Sequence, residues 1–420
     1  MRFGPVYLFY FCLFLLIWIA PIDTSSFIKV VASFILISLL VLISIGKEKG
    51  RRLATNQCSN YSSISSVFNF SFTYKNIAVF VAGQLILVMY AGHYYTGLDP
   101  VSAVSMYFSG VATYTNYQQW FSDNSLAIFS LSKIPPILSL GVLKLTFVMT
   151  LSRLIAFSSE KGIRLIFKVL LVCIPIVLFS IYRGTSFEFF DIGIAVLCFY
   201  YLRWQRNLSL YSAPRFRLKN YLYIFGFASI LLAIYNYNVQ LRYDFNYRVS
   251  CSNEFCLDTD ALIYQAFPGI GMVLFKITAY FYFGLDYLAR FLIHVFDDLS
   301  ILVELFLPFQ GLLQSDFYPK FLCQEGVLRC GPTWSPRLEK EILNLGFLLS
   351  SILIMLVAIV YGFIERKLSK TADVELASLY FFMSLYLLSL PVGDFLFVSS
   401  ANVLSLLAIL LLILLKKVKI

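Results

Sequence analysis

The chain has 420 residues, 60% of them hydrophobic, and a mean hydropathy of +0.80, whereas the apolar share of a soluble globule is roughly 45–50%. A water-soluble domain is excluded and a bilayer is implied. The net charge of +10 would suit nucleic acid if the basic residues formed one stripe or domain. They are instead scattered between apolar segments, where contact with anionic lipid headgroups accounts for them, and no nucleic-acid partner is expected.

The first apolar segment, Val6 to Ala20, follows Arg2 and resembles a secretory leader, but Pro21 comes next and no small-x-small cleavage site is convincing, so an uncleaved helix is expected. Further segments follow at Phe27 to Ile45, Ile77 to Ala91, Leu126 to Thr150, Leu165 to Tyr182, Phe187 to Leu202, Tyr221 to Tyr237, Phe347 to Ile364, Leu376 to Val392 and Val398 to Leu415. Each approaches the roughly 20 residues a helix needs to cross about 30 Å of hydrocarbon, so about ten transmembrane helices are expected.

Basic residues alternate with these segments. Lys47, Lys49, Arg51 and Arg52 follow the second; Arg153, Lys161 and Arg164 the fourth; Arg203, Arg206, Arg215, Arg217 and Lys219 the sixth; Arg366, Lys367 and Lys370 the eighth; and Lys416, Lys417 and Lys419 the last. The loops Pro21 to Ser26, Gly92 to Ser125 and Gly393 to Phe397 hold no Lys or Arg. The positive-inside rule then predicts both termini in the cytoplasm. The Ser-rich patch Ser59 to Ser66 reads as a linker in the first cytoplasmic loop.

Spans over residues 1–237 and 347–420 bracket a long outer segment, 238–346, whose tyrosines and apolar runs argue against disorder. A folded external element with amphipathic helices is expected there. Of the chain's eight cysteines, Cys251, Cys256, Cys323 and Cys330 fall in this segment, and their spacing suits bridges Cys251 to Cys256 and Cys323 to Cys330, with free thiols as the alternative. One helix is expected over Leu285 to Phe306, where Asp286, Arg290, His294 and Asp298 recur along one face. That stripe reads either as charge pairs on a helix at the membrane interface or as the lining of a wet cavity for a polar substrate. A third reading makes Phe267 to Phe283 and Tyr287 to Leu307 a membrane hairpin, for twelve spans in all.

Arg183 sits in Tyr182-Arg183-Gly184-Thr185, a short outer turn. An arginine near the interface normally has a partner: either it snorkels to headgroups, or it grips a phosphate while Gly184 lets backbone approach. In Arg242-Tyr243-Asp244-Phe245-Asn246-Tyr247-Arg248, guanidinium groups alternate with aromatic faces on which sugars stack; an ordinary exposed loop is the plainer reading. Asp258 and Asp260 form a DxD, but with His93 and His294 as the only histidines no metal-ligand constellation emerges, and no metal or cofactor is expected. Nothing matches a P-loop or a serine-hydrolase elbow.

Many spans, a Ser-rich approach to Arg183-Gly184, an Arg- and Tyr-bearing start to a large late loop, the segment Tyr280-Phe281-Tyr282-Phe283-Gly284-Leu285 and Gly346-Phe347-Leu348 together resemble the Wzy-type O-antigen polymerases. The resemblance implies a GT-C-like membrane glycosyltransferase of the bacterial inner membrane. Such an enzyme moves a growing glycan from one undecaprenyl diphosphate to a second undecaprenyl-diphosphate-linked repeat unit on the periplasmic side, with neither ATP nor metal. Its implied partners are lipid-linked oligosaccharides, membrane lipids, a chain-length regulator and a flippase. Carried onto this chain, Arg183, Arg242 and Arg248 neutralise diphosphate, and Tyr243, Tyr247, Tyr280, Tyr282 and Arg290 contact substrate. Base candidates are Asp244, Glu254, Asp286 and His294, the last titrating nearest neutral pH. One departure is plain: from Arg183 the next glycine in register is Gly193, so the family's longer Arg-to-Gly pattern is not reproduced.

Three other functions compete. A flippase for lipid-linked sugars has similar length and apolarity, but tends to short loops and charges inside its spans. An O-antigen ligase also has a large periplasmic loop, usually with a histidine that His294 would match. The plainest is a purely structural membrane protein.

Overall fold

The computed structural model describes residues 4–57, 73–109, 113–126, 128, 130–160, 162–210, 226, 233, 236–237, 251–252, 255–297 and 336–418. The expected span Tyr221 to Tyr237 falls almost wholly outside them. So do Arg242, Tyr243, Asp244, Tyr247, Arg248, Glu254, Asp298, Cys323 and Cys330.

In chain order the helices are α1 (Pro5–Ile19), α2 (Ser26–Gln57), α3 (Tyr74–Thr96), α4 (Pro100–Phe108), α5 (Thr113–Asp123), α6 (Ile134–Leu151), α7 (Ile163–Arg183), α8 (Phe187–Leu210), α9 (Leu262–Ala266), α10 (Pro268–Asp297), α11 (Arg337–Leu368), α12 (Val374–Val392) and α13 (Ser400–Val418). A two-stranded ribbon, β1 (Cys251–Ser252) and β2 (Phe255–Cys256), precedes α9. The chain divides into two units. One holds α1, α2, the ribbon, α9, α10, nearly all of α11 and the C-terminal part of α12; the other holds α3 to α8, the N-terminal part of α12, and α13.

Side-chain placement shows why these helices belong in lipid. On α2, Phe27, Val30, Phe34, Ile37, Val41 and Ile45 recur every three or four residues and are exposed, while Ala32, Leu36, Leu39 and Ile43 are buried. On α11, Leu348, Ile352, Leu356 and Val360 are likewise exposed. Continuous apolar stripes of this kind face hydrocarbon, not water. Among the described residues, seven helices are long and apolar enough to cross a membrane: α2, α3, α6 with its flanking turns, α7, α10, α11 and α12; α1 and α13 are apolar but shorter. The chain is therefore an all-α, multi-pass membrane protein.

In the first unit, α1, α2 and α10 pack together, and α2 meets α11 backbone to backbone. A Cβ at Gly50 would lie 1.9 Å from the Ile359 carbonyl oxygen, and one at Gly362 would lie 2.1 Å from that of Lys47. Glycines here remove the side chains that would hold two membrane helices apart. The sequence reading ends the second span at Ile45 and puts Lys47 in a loop against lipid headgroups. The structure corrects it: α2 runs helical to Gln57, and Lys47, buried, pairs with Glu365 at 2.7 Å. The ribbon aligns Cys251 with Cys256, and Cys256 is disulfide-bonded. The turn between α1 and α2 runs along the ribbon, Asp23 N–H donating to Cys256 O at 3.0 Å and Asp258 N–H to Pro21 O at 3.1 Å. These hydrogen bonds put the two segments on one side of the membrane.

A second correction concerns α10. Periodicity places a helix over Leu285 to Phe306 and the hairpin reading breaks the chain near Gly284. The structure instead has one 30-residue helix. Gly284 does not break it because it serves as a contact, where a Cβ would come 1.9 Å from the Val392 carbonyl oxygen.

In the second unit, α3 packs on α6 and α7, α13 on α6, and the short helices α4 and α5 on α7. Asp99 caps α4, accepting from Val101 N at 2.9 Å and Ser102 N at 3.0 Å, with Pro100 at the first helical position. Gly97 ends α3 at φ 69°, where a Cβ would meet the Trp120 ring at 2.7 Å.

Candidate functional site

Helix α7 ends at Arg183 because Gly184 takes the left-handed conformation, φ 59° and ψ 28°, the usual glycine terminator. A Cβ at Gly184 would meet Thr113 Oγ1 and Tyr114 N at 2.5 Å, so the turn is pressed against the start of α5. The Ser180 hydroxyl closes it by donating to Thr185 O.

The arginine that the turn presents has a partner. Arg183 Nη1 donates to Glu188 Oε1 at 2.6 Å, and Thr185 Oγ1 donates to Glu188 Oε2 at 2.5 Å. The Arg183 side chain is 26% exposed and that of Glu188 7%, so arginine is the outer member of the pair. Its guanidinium lies 5.0 Å from the Tyr117 ring centroid and 5.5 Å from that of Phe179, within cation–π range. The macrodipoles favour the arrangement, a cation at the C-terminus of α7 and an anion in the first turn of α8.

Around Arg183 the structure gathers a polar-aromatic shelf that sequence reading passes over. Tyr114 and Tyr117 lie 6.4 Å apart, and Tyr117 and Phe121 5.7 Å. Trp120 Nε1 donates to Tyr94 O at 3.1 Å, Asn116 Nδ2 to Thr96 O at 3.1 Å, and Gln118 Nε2 to the Tyr114 hydroxyl at 2.8 Å. The signal is present in Thr113-Tyr114-Thr115-Asn116-Tyr117-Gln118-Gln119-Trp120-Phe121, a mixture of rings and amides suited to sugars. It stands in a loop short of charge, where attention fixed on Lys and Arg does not fall.

One turn along α8 from Glu188, Asp191 is 3% exposed and pairs with Lys144, 5% exposed, from α6. Lys144 also lies 5.4 Å from the Phe381 ring centroid. Asp191 and Glu188 interact electrostatically. Arg183 with Glu188 and Lys144 with Asp191 thus form two ion pairs whose carboxylates are neighbours on α8. Lysine and aspartate within apolar windows escape a sequence scan because their partners are distant in the chain.

The sequence-expected residues of α10 belong to the other unit. Asp286 is buried and pairs with Arg290 at 2.7 Å, where the arginine side chain is 41% exposed. Tyr282 is 1% exposed, so its ring is core and offers no open face to a sugar. Tyr280 packs edge-to-face on Phe281 at 5.2 Å. His294 lies in the last turn of α10. Within this unit a further network was missed by sequence: Arg337 pairs with Glu341 at 2.8 Å and Asp394 at 3.3 Å, Tyr386 OH donates to Glu341 at 2.7 Å, and Arg337 stacks 4.2 Å from the Phe397 centroid. With both carboxylates engaged, this arginine is tied to the protein. Among the described residues no three of His, Cys, Asp and Glu converge as a metal site.

Comparison with family models, with curated proteins and with solved structures finds no match to the chain.

Proposed function

We propose that this multi-pass membrane protein is a lipid-diphosphate-sugar-dependent glycosyltransferase, an O-antigen polymerase of the bacterial inner membrane with about ten spans and both termini cytoplasmic. It transfers a growing glycan from undecaprenyl diphosphate to an undecaprenyl-diphosphate-linked repeat unit at the periplasmic face. The observation that carries the reading is Arg183, partly exposed at a helix end and set over Tyr117 beside the amide- and ring-bearing helix α5. Breaking a glycosyl–phosphate bond builds negative charge on the departing diphosphate and positive character on the sugar. A guanidinium on the phosphates lowers that barrier, while aromatic faces hold the saccharide. Arg242, Arg248, Tyr243 and Tyr247, outside the described residues, are proposed as further diphosphate and sugar contacts.

The test is a lipopolysaccharide profile of Arg183→Lys. Lysine keeps a cation for the buried Glu188 but lacks the planar fork that matches phosphate. Single-repeat chains at normal protein level are expected; wild-type chain lengths remove Arg183 from the site.

The Lys144–Asp191 pair favours a second reading, a flippase for the same lipid-linked oligosaccharide, since paired charges inside spans mark transport pathways. Deletion separates the two: single repeats on the core follow loss of a polymerase, bare core loss of a flippase or a ligase.

A further inference from the structure

Transfer to a hydroxyl needs a group that takes the acceptor's proton, and the turn after α7 holds a candidate that the sequence did not single out. Glu188 has both carboxylate oxygens within 2.6 Å of partners, Arg183 Nη1 and Thr185 Oγ1. Its only cation among these is the group assigned to the diphosphate. A diphosphate brings two or more negative charges, against the single charge of the Glu188 carboxylate, to an arginine whose side chain is 26% exposed.

Resting on the polymerase reading, we propose that Glu188 is the general base of the transfer, masked by Arg183 until donor diphosphate arrives. The acceptor hydroxyl gives its proton to Glu188 Oε1, the acceptor oxygen forms the new bond to the anomeric carbon, and the anomeric carbon–oxygen bond to the phosphate breaks, its electron pair leaving on undecaprenyl diphosphate held by Arg183. Thr185 keeps the carboxylate oriented throughout through Oε2. Asp191, next along the face of α8, is held by Lys144, which leaves Glu188 as the carboxylate whose cation the ligand can take. A base that stays paired in the empty site does not deprotonate water unproductively.

The pair also joins α7 to α8, so a purely structural role has to be told apart. Purified wild-type protein, Glu188→Gln and Glu188→Asp in detergent are supplied with undecaprenyl-diphosphate-linked repeat unit, and polymer, lipid binding and melting temperature are measured. Glu188→Gln is expected to lower kcat about 10²- to 10⁴-fold, the usual contribution of a general base, with binding of the lipid-linked unit changed less than about 3-fold on the scale where 1.4 kcal/mol is tenfold. Glu188→Asp is expected to recover part of the rate. If wild-type protein makes polymer and Glu188→Gln makes it at a comparable rate, the base assignment is overturned and the polymerase reading stands. Parallel losses of binding, melting temperature and rate, without recovery by aspartate, overturn it in favour of a structural brace. Should the wild-type protein make no polymer, the functional reading fails and the base falls with it.

Discussion

Replacing Lys144 by Met leaves Asp191, 3% exposed, as a carboxylate without its cation between α6 and α8. The structure sets the size of the effect. Both side chains of the pair are at most 6% exposed, so water cannot make good the loss, and the neighbouring charge on Glu188 opposes Asp191 further. Breaking a pair this deep by removing one partner costs roughly 3–5 kcal/mol, whereas replacing both with apolar residues of similar size is neutral or stabilising. Lys144→Met and Asp191→Leu should each destabilise the purified protein by about 3 kcal/mol or more, and the double variant should return to within about 1 kcal/mol of wild type. Denaturant midpoints in detergent micelles close the cycle, with polymer formation, and translocation of lipid-linked oligosaccharide in sealed vesicles, measured on the same four proteins. A double variant that is stable and fully active makes the pair a structural brace; one that is stable but has lost translocation of lipid-linked oligosaccharide supports the flippase. A Lys144→Met protein as stable as wild type refutes the electrostatic reasoning outright.

The α2–α11 approach gives a steric prediction: Gly50→Ala drives a methyl group into a carbonyl 1.9 Å away, and strain on the order of 1–3 kcal/mol is expected, read as a lower melting temperature, while Gly83→Ala, within α3 and with nothing within 4 Å, does not lower it. Tyr10→Phe removes a buried hydrogen bond to Leu387 O of 2.8 Å and should cost about 0.5–1.5 kcal/mol in the same assay. Asp99 supplies a pH signature. Its hydrogen bonds from Ser102 hold the carboxyl below the usual carboxylate range, so the cap of α4 is fully present above the ordinary Asp value of about 3.9 and is lost as pH falls through the lower folded value. Amide protection at Val101 and Ser102, exchange taken relative to the intrinsic rate at each pH, should fall over that acid window, and Asp99→Asn should remove that fall.

How far the amino-acid sequence carried can be judged from particular residues. Apolar length predicts α2, α3, α7, α11 and α12 because lipid imposes a single demand, satisfied backbone within a greasy surface, and that demand is local. Helix ends are less legible: Lys47 reads as the edge of a span because its partner Glu365 is more than three hundred residues away, and that partner, with the Tyr7 and Tyr361 rings 4.9 and 5.4 Å from the ammonium, lets α2 carry a lysine onward. Gly284 reads as a break for the same reason, its compensation being a carbonyl on α12. Arg183 was legible because a charge between two spans in so short a turn is exceptional wherever its partner lies. Glu188 was not, although it stands five residues on, since an acid in the first turn of a helix has an ordinary explanation in the helix dipole. What marks it is which of its two neighbours a ligand can take away: the threonine hydroxyl belongs to the turn, while the arginine is partly exposed and free to prefer a second anion.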